Sequence, residues 1–162
     1  MAYAPHGLVG AQPIANTEST QKHALGTVIK ATDPTYGEGE FIYLVGVAST
    51  VVGSIVNYDA AYQTALHTSA LDKPRPLAVA MSANLAAGYG WYQISGQAIV
   101  SKSAALSLAA GDAIGAASGA AVVVATGSIL NGMCVAAIAS AATGVTTVRV
   151  MINRPHDTSD VS

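Results

Sequence analysis

From Ala113 to Val148 the chain carries no Asp, Glu, Lys, Arg or His, yet turn signals cut this run at Ser118-Gly119, Thr126-Gly127-Ser128, Asn131-Gly132 and Thr143-Gly144. A helix that crosses a membrane needs about 20 unbroken apolar residues, and none of the pieces left between these turns is that long. The pieces are short and rich in Ala, Val and Thr. Such pieces, bounded by Gly and Ser, read as strands, so the whole chain is expected to be all-β. The N-terminal Met1 to His6 lacks a basic stretch followed by a long apolar core, so neither a secretory signal nor a membrane segment is expected.

The stretch around which the strands organise runs from Leu77 to Val100 and holds the only Trp of the chain. Its second arm, Trp91 to Val100, predicts a long strand. Side chains alternate between faces with period two, which puts Trp91, Gln93 and Ser95 on one side and Tyr92, Ile94 and Gly96 on the other. Gly96 predicts a bulge or bend, and Ser82 to Gly90 a surface hairpin connection. The rings of Tyr89, Trp91 and Tyr92 are expected in the core or at a subunit contact rather than as a ligand platform.

Taken in order, residues 1–25 show no sustained period among Pro5, Gly7, Gly10 and Pro13 and read as an extended arm. Its apolar Tyr3, Leu8, Val9 and Ile14 suit contact with a neighbour, a flexible tail being the alternative. Residues 26–154 read as one β-rich domain, a barrel or sandwich, and 155–162 as a polar tail. Strands are expected at 26–31, 38–48, 54–58, 63–67, 121–125, 132–139 and 145–152, the last ended by Asn153-Arg154-Pro155. Asp33-Pro34-Thr35-Tyr36-Gly37 reads as a turn, and the neighbouring Glu38 and Glu40 as its solvated flank. The segment 101–110 has helix-forming Ala and Leu, but strand and turn are expected there because Gly111-Asp112 reverses the chain. Residues 48–56 resemble 106–114, and 79–83 resemble 135–141, at nearly the same spacing, which suggests two related halves.

Only 10% of the 162 residues are charged while 51% are hydrophobic, and the formal net charge is −2. A surface so poor in charge points to an assembly component, because a contact surface does not need solubilising charge. The seven Lys and Arg are scattered and give no footprint for a phosphate backbone, so nucleic-acid binding is not expected. The single Cys134 cannot form an internal disulfide and is expected to pack as a small buried hydrophobe.

Residues for chemistry are sparse. The four histidines, His6, His23, His67 and His156, stand far apart and make no metal-ligand spacing. No G-x-S-x-G elbow and no G-x-G-x-x-G loop occur. Hence no catalytic residue, cofactor or metal is expected, and the chain does not read as an enzyme.

The pattern Gly37 to Thr50, then Gly53 to Tyr58, then Ala78 to Asn84 with Tyr89 to Gly96, resembles the head decoration (cement) proteins of tailed bacteriophages. The resemblance covers about residues 26–154, and the N-terminal arm departs most from it. It implies a compact β-rich module, commonly a homotrimer, that binds the major capsid protein on the outside of an icosahedral shell after synthesis in the bacterial cytoplasm. No catalytic residue comes with the family. A trimeric receptor-binding or fibre-head module of a phage tail shares the β-richness and low charge, but is usually accompanied by long repeats or a coiled-coil stalk.

Overall fold

The computed structural model describes residues 4–6, 12–68, 75–123, 129–137 and 141–157, which form strands, turns and loops and no helix. The chain is an all-β domain. Its strands are β1 (Ala4–His6), β2 (Thr17–Glu18), β3 (Val28–Asp33), β4 (Gly37–Val45), β5 (Ile55–Tyr58), β6 (Thr64–Leu66), β7 (Leu77–Ala80), β8 (Tyr89–Ser101), β9 (Ile114–Ala117), β10 (Ala120–Val123), β11 (Leu130–Val135) and β12 (Thr147–Asp157).

A ten-stranded sheet runs β1-β3-β4-β8-β7-β5-β6, with β2, β11 and β12 joined to it, and β9 with β10 forms a separate hairpin. Isolated bridges turn this arrangement into two rings. A parallel bridge Val45↔Gln63 joins β4 to the start of β6, so β4, β8, β7, β5 and β6 close on themselves. A parallel bridge Lys102↔Ala121 and an antiparallel bridge Ala113↔Cys134 likewise link the end of β8 through β10 and β9 to β11, β12 and back to β8.

Equivalent bonds repeat from ring to ring. In the first, Tyr92 pairs with Ile42 and Ala80; in the second, Val150 pairs with Ala98 and Val135. Gly53 N donates to Ala80 O (2.8 Å) and Ala80 N to Ser54 O (2.9 Å), just as Gly111 N donates to Val135 O (3.0 Å) and Val135 N to Asp112 O (2.9 Å). Both glycines sit at nearly the same left-handed angle, φ 86° and 85°. The two rings are therefore built to one hydrogen-bonding plan, and the sequence resemblance between the halves follows it. Strand β8 belongs to both: its first half pairs with β4 and its second half with β12.

Gly96 marks the changeover. It has φ +98°, and a Cβ there would lie 2.5 Å from the carbonyl oxygen of Glu38, so only glycine fits. Immediately before it, Glu40 pairs with Ser95 while Phe41 pairs with Gln93, a bulge that lets one strand serve two rings.

The cores follow from strand alternation. Ile42, Leu44, Val56, Ala78, Ala80, Tyr92 and Ile94 fill the first ring, whose rim holds Tyr58, Tyr62 and Leu66. Ala98, Val100, Ile114, Met133, Val135, Val148 and Val150 lie in the second core, joined by Ile55, Leu77 and Val79 from the outer face of the first ring. A third cluster, Ile14, Ile29, Ala31, Phe41, Tyr43, Met81 and Trp91, covers the other face of β4 and β8. Each fully buried large apolar side chain contributes about 1.5–3 kcal/mol.

Several expectations are corrected. The described parts of residues 1–25 are held by the domain: β1 pairs with β3, β2 pairs with Tyr89 and Gly90, and Ile14 is 3% exposed. Strand β12 does not stop at Pro155 but runs to Asp157. The register shifts between Asn131 and Met133, opposite Asn153 to Pro155, and this bulge accommodates the proline. Cys134 is exposed, because Met133 and Val135 take the inward positions of β11. The strand Ile114–Ala117 is additional to those expected from the sequence.

Candidate functional site

At one end of the first ring lie the loops 46–53, between β4 and β5, and 81–88, between β7 and β8. Neither contains Asp, Glu, Lys, Arg or His. They are tied by Gly46 N donating to Gly88 O at 2.7 Å; a Cβ on Gly46 would lie 2.5 Å from that of Asn84. Inside the first loop, Thr50 Oγ1 donates to Val47 O (2.7 Å) and Ser54 Oγ accepts from Val51 N (3.1 Å). In the second, Asn84 Nδ2 donates to Tyr92 Oη at 2.9 Å, anchoring the loop to the ring filling. Thr50, Ser54 and the Asn84 amide nitrogen are thus turned inward, while Val51 (53% exposed), Val52 (51%) and Leu85 (75%) project into solvent. Glu18, on β2, lies at the edge of this end beside Leu85 to Gly88.

The second ring repeats the design with residues 102–112 and the loop leading to β12. Ala109 N donates to Asp112 Oδ2 at 2.8 Å, the counterpart of the Val51 to Ser54 bond. Gly144 N donates to Ala104 O (2.7 Å) and Lys102 N to Thr146 O (2.9 Å), tying the two loops. Lys102 is 4% exposed. Its ammonium donates to Ser103 O (3.1 Å), Leu106 O (2.7 Å) and Ala142 O (3.2 Å), so its charge is spent holding carbonyls and not shown to solvent. Ala104, Ala105, Ala109, Ala110, Ala142 and Val145 are exposed. The two ends meet where Ser101 N donates to Gly53 O at 2.9 Å.

Two ion pairs and two carboxylate-held turns lie toward the other ends of the strands. Lys30 pairs with Glu38 at 3.2 Å and Arg154 with Glu40 at 2.7 Å. Asp33 accepts from Thr35 N and Tyr36 N, and Asp59 from Ala61 N and Gln63 N. Glu38 and Glu40 are ion-paired flanks of a turn, as surface carboxylates are expected to be.

The residues singled out from the sequence are scattered by the fold. Tyr3, Leu8 and Val9 lie outside the described residues. Ile14 packs in the third cluster. Trp91 and Tyr92 are both 0% exposed, on opposite faces of β8, so the chain itself covers the rings expected to meet a neighbour. Tyr89 is half-buried, its ring stacked on Tyr43 at 6.2 Å. The exposed apolar residues at the loop ends, Val51, Val52 and Leu85, are not among the residues the sequence singles out. Their signal was present: loops 46–53 and 81–88 lack charge as completely as the Ala113 to Val148 run.

A buried histidine and carboxylate approach each other at the seam between the rings. His67 Nε2 stands 3.7 Å from Asp157 Oδ2, with both side chains nearly covered. Burial pushes the imidazole below its usual range, outweighing the pull of the Asp157 carboxylate in the other direction. Tyr92 is pushed up, chiefly by burial. Among the described residues no three His, Cys, Asp or Glu side chains converge as metal ligands, and no helix is long and apolar enough to cross a membrane. No protein-family model, no curated protein and no solved structure matches the chain.

Proposed function

We propose that this protein is a head decoration, or cement, protein of a tailed bacteriophage. It acts as a homotrimer that binds the major capsid protein on the outer surface of the shell, by non-covalent contact and with no chemistry of its own. The observation that carries this reading is the exposed, charge-free loop end formed by Val51, Val52 and Leu85 on a closed ring of strands. A contact surface that must leave water gains by having no ions to desolvate, and a rigid ring presents it without an ordering cost. The protein is made in the host cytoplasm and ends on the virion.

Heat resistance tests the reading. Heads assembled without this protein are warmed with and without the purified chain, and DNA release is followed by dye fluorescence. Added protein is expected to raise the release temperature; release at the same temperature despite excess protein would contradict the cement role.

A further inference from the structure

The β9–β10 hairpin is hydrogen-bonded as a sheet of its own, apart from the ten-stranded sheet. A two-stranded hairpin is marginal by itself, so the bonds that seat its turn decide how firmly this end of it is joined to the first ring. Those bonds centre on His67: Ile55 N donates to Gly119 O at 2.6 Å, His67 N to Ile55 O at 3.0 Å and Gly119 N to His67 O at 2.7 Å. The fit is close, since a Cβ on Gly119 would lie 2.9 Å from Leu66 Cδ2. The end of β12 enters the same joint, where Asp157 N donates to Arg75 O at 3.1 Å. Between these elements the His67 side chain is shut off from water, with the residue 1% exposed. Its Nδ1 has no hydrogen-bond partner, and its Nε2 stands 3.7 Å from Asp157 Oδ2, too far for a hydrogen bond. A neutral imidazole has one N–H to satisfy and an imidazolium has two. In the closed joint neither nitrogen has a bonded acceptor, so an added proton is accommodated only when water reaches the ring.

We infer that His67 is an acid-sensitive latch: protonating its imidazole releases the Ser118-Gly119 turn and the end of β12 from the first ring while both ring cores stay folded. Few charges surround the latch among the described residues. The Asp157 carboxylate on β12 favours the imidazolium, and burial outweighs it. Arg75 holds its guanidinium to Asn57, Nη1 to Oδ1 at 3.4 Å, and His156, beside Asp157, is exposed. Strands β5 and β6 and the β9–β10 turn add no ionisable side chain except Tyr58, which burial keeps neutral. Once open, the imidazole is in water with its ordinary value of about 6.5, so the open form takes the proton first. Each pH unit below that favours opening by up to about tenfold, until the closed form is protonated too. Such opening is local and precedes unfolding of the cores. It does not draw on the capsid-binding reading, and the two can fail separately.

Amide hydrogen exchange of the full chain, followed by NMR from about pH 7.5 to about pH 5, tests the latch. Rates are expressed as protection factors, which removes the intrinsic slowing of exchange in acid. Protection at the joint amides of Ile55, His67, Gly119 and Asp157 is expected to fall by up to about tenfold per pH unit below about pH 6.5. The amides of Ala80 and Val135, which bond to Ser54 O and Asp112 O within the two rings, should keep theirs. Loss of protection at the joint only in step with Ala80 and Val135 would overturn the latch, because opening would then be global. His67→Gln should abolish the pH dependence at the joint, and persistence of that dependence in a folded variant would also overturn it. If His67→Gln does not fold, the imidazole resonances of the unaltered chain decide: titration below about 6.5 supports the latch, and titration at or above that value contradicts it. Asp157→Asn, which removes the charge favouring the imidazolium, should move that titration further down; a move upward would contradict the sign.

Discussion

Trp91 and Tyr92 are neighbours in sequence and occupy different cores, the indole among Tyr43, Phe41 and Ile14 and the phenol inside the first ring among Leu44 and Ala80. Strand β8 places them back to back, and each is completely covered. Trp91→Ala and Tyr92→Ala should therefore each lower stability by about 3–5 kcal/mol, the cost of a large cavity in a packed core. Tyr92→Phe keeps the ring but loses the hydroxyl's hydrogen bonds with Asn84 and Thr64, and should cost about 1–2 kcal/mol. Urea unfolding of the three variants gives the ordering, and a Trp91→Ala variant as stable as the parent would show that the third cluster is not part of the folded unit.

The N-terminal segment is tied to the domain through Ile14, so its removal is a stability change before it is anything else. Ile14→Ala is expected to cost about 2–4 kcal/mol. Deleting residues 1–21 removes that side chain together with β1 and β2, and should lower the midpoint further. Thermal melts of both variants test this; an unchanged midpoint after the deletion would mean that the pairings of β1 and β2 contribute nothing.

Lys102 is a structural ammonium. Lys102→Met keeps the length of the side chain but leaves the carbonyls of Ser103, Leu106 and Ala142 without their donor, at a cost of about 2–3 kcal/mol. Hydrogen exchange is the informative measurement, since protection should fall first at the amides of Gly144 and Lys102, which tie the two loops.

The buried His67 predicts a pH dependence of definite sign. Its folded pKa lies below the unfolded value of about 6.5, so the unfolded chain takes up the proton first. The stability it contributes is complete above about pH 6.5 and is lost as pH falls from there toward its folded pKa, with a slope of at most about 1.4 kcal/mol per pH unit. Denaturant unfolding of the parent and of His67→Gln across that window, read as a difference, isolates it from the other histidines. A difference curve that is flat through the window would contradict the buried neutral imidazole.

What could be read from the sequence was local. The turn at Asp33 to Gly37 is held as its residue types suggest, with the Asp33 carboxylate on two amides, and Gly96 does bend β8. The likeness of the segment around Gly53 to that around Gly111 pointed to two related halves because the same left-handed turn needs the same residue. The rest depended on distant partners. Nothing near Thr17 shows that it will pair with Gly90, and Pro155 reads as a stop until Gly132 bulges opposite it. Lys102 looks solvated in sequence, since the carbonyl of Ala142 that accepts from it lies far along the chain. The same non-locality hid the candidate site, whose exposed valines are told from buried ones only by which ring they close.

The central claim is that the charge-free loop end of the first ring attaches this protein to a phage shell, and salt-resolved titration tests it most directly. Purified protein is added in increasing amounts to heads assembled without it, and bound protein is counted after sedimentation at ionic strengths from about 0.05 to 0.5 M, a range over which screening removes most surface ionic attraction. Attachment through uncharged loops predicts saturable binding to a fixed number of sites per head with nearly the same affinity at both ends of the range. Absence of saturation, or binding that collapses as salt rises, would contradict it.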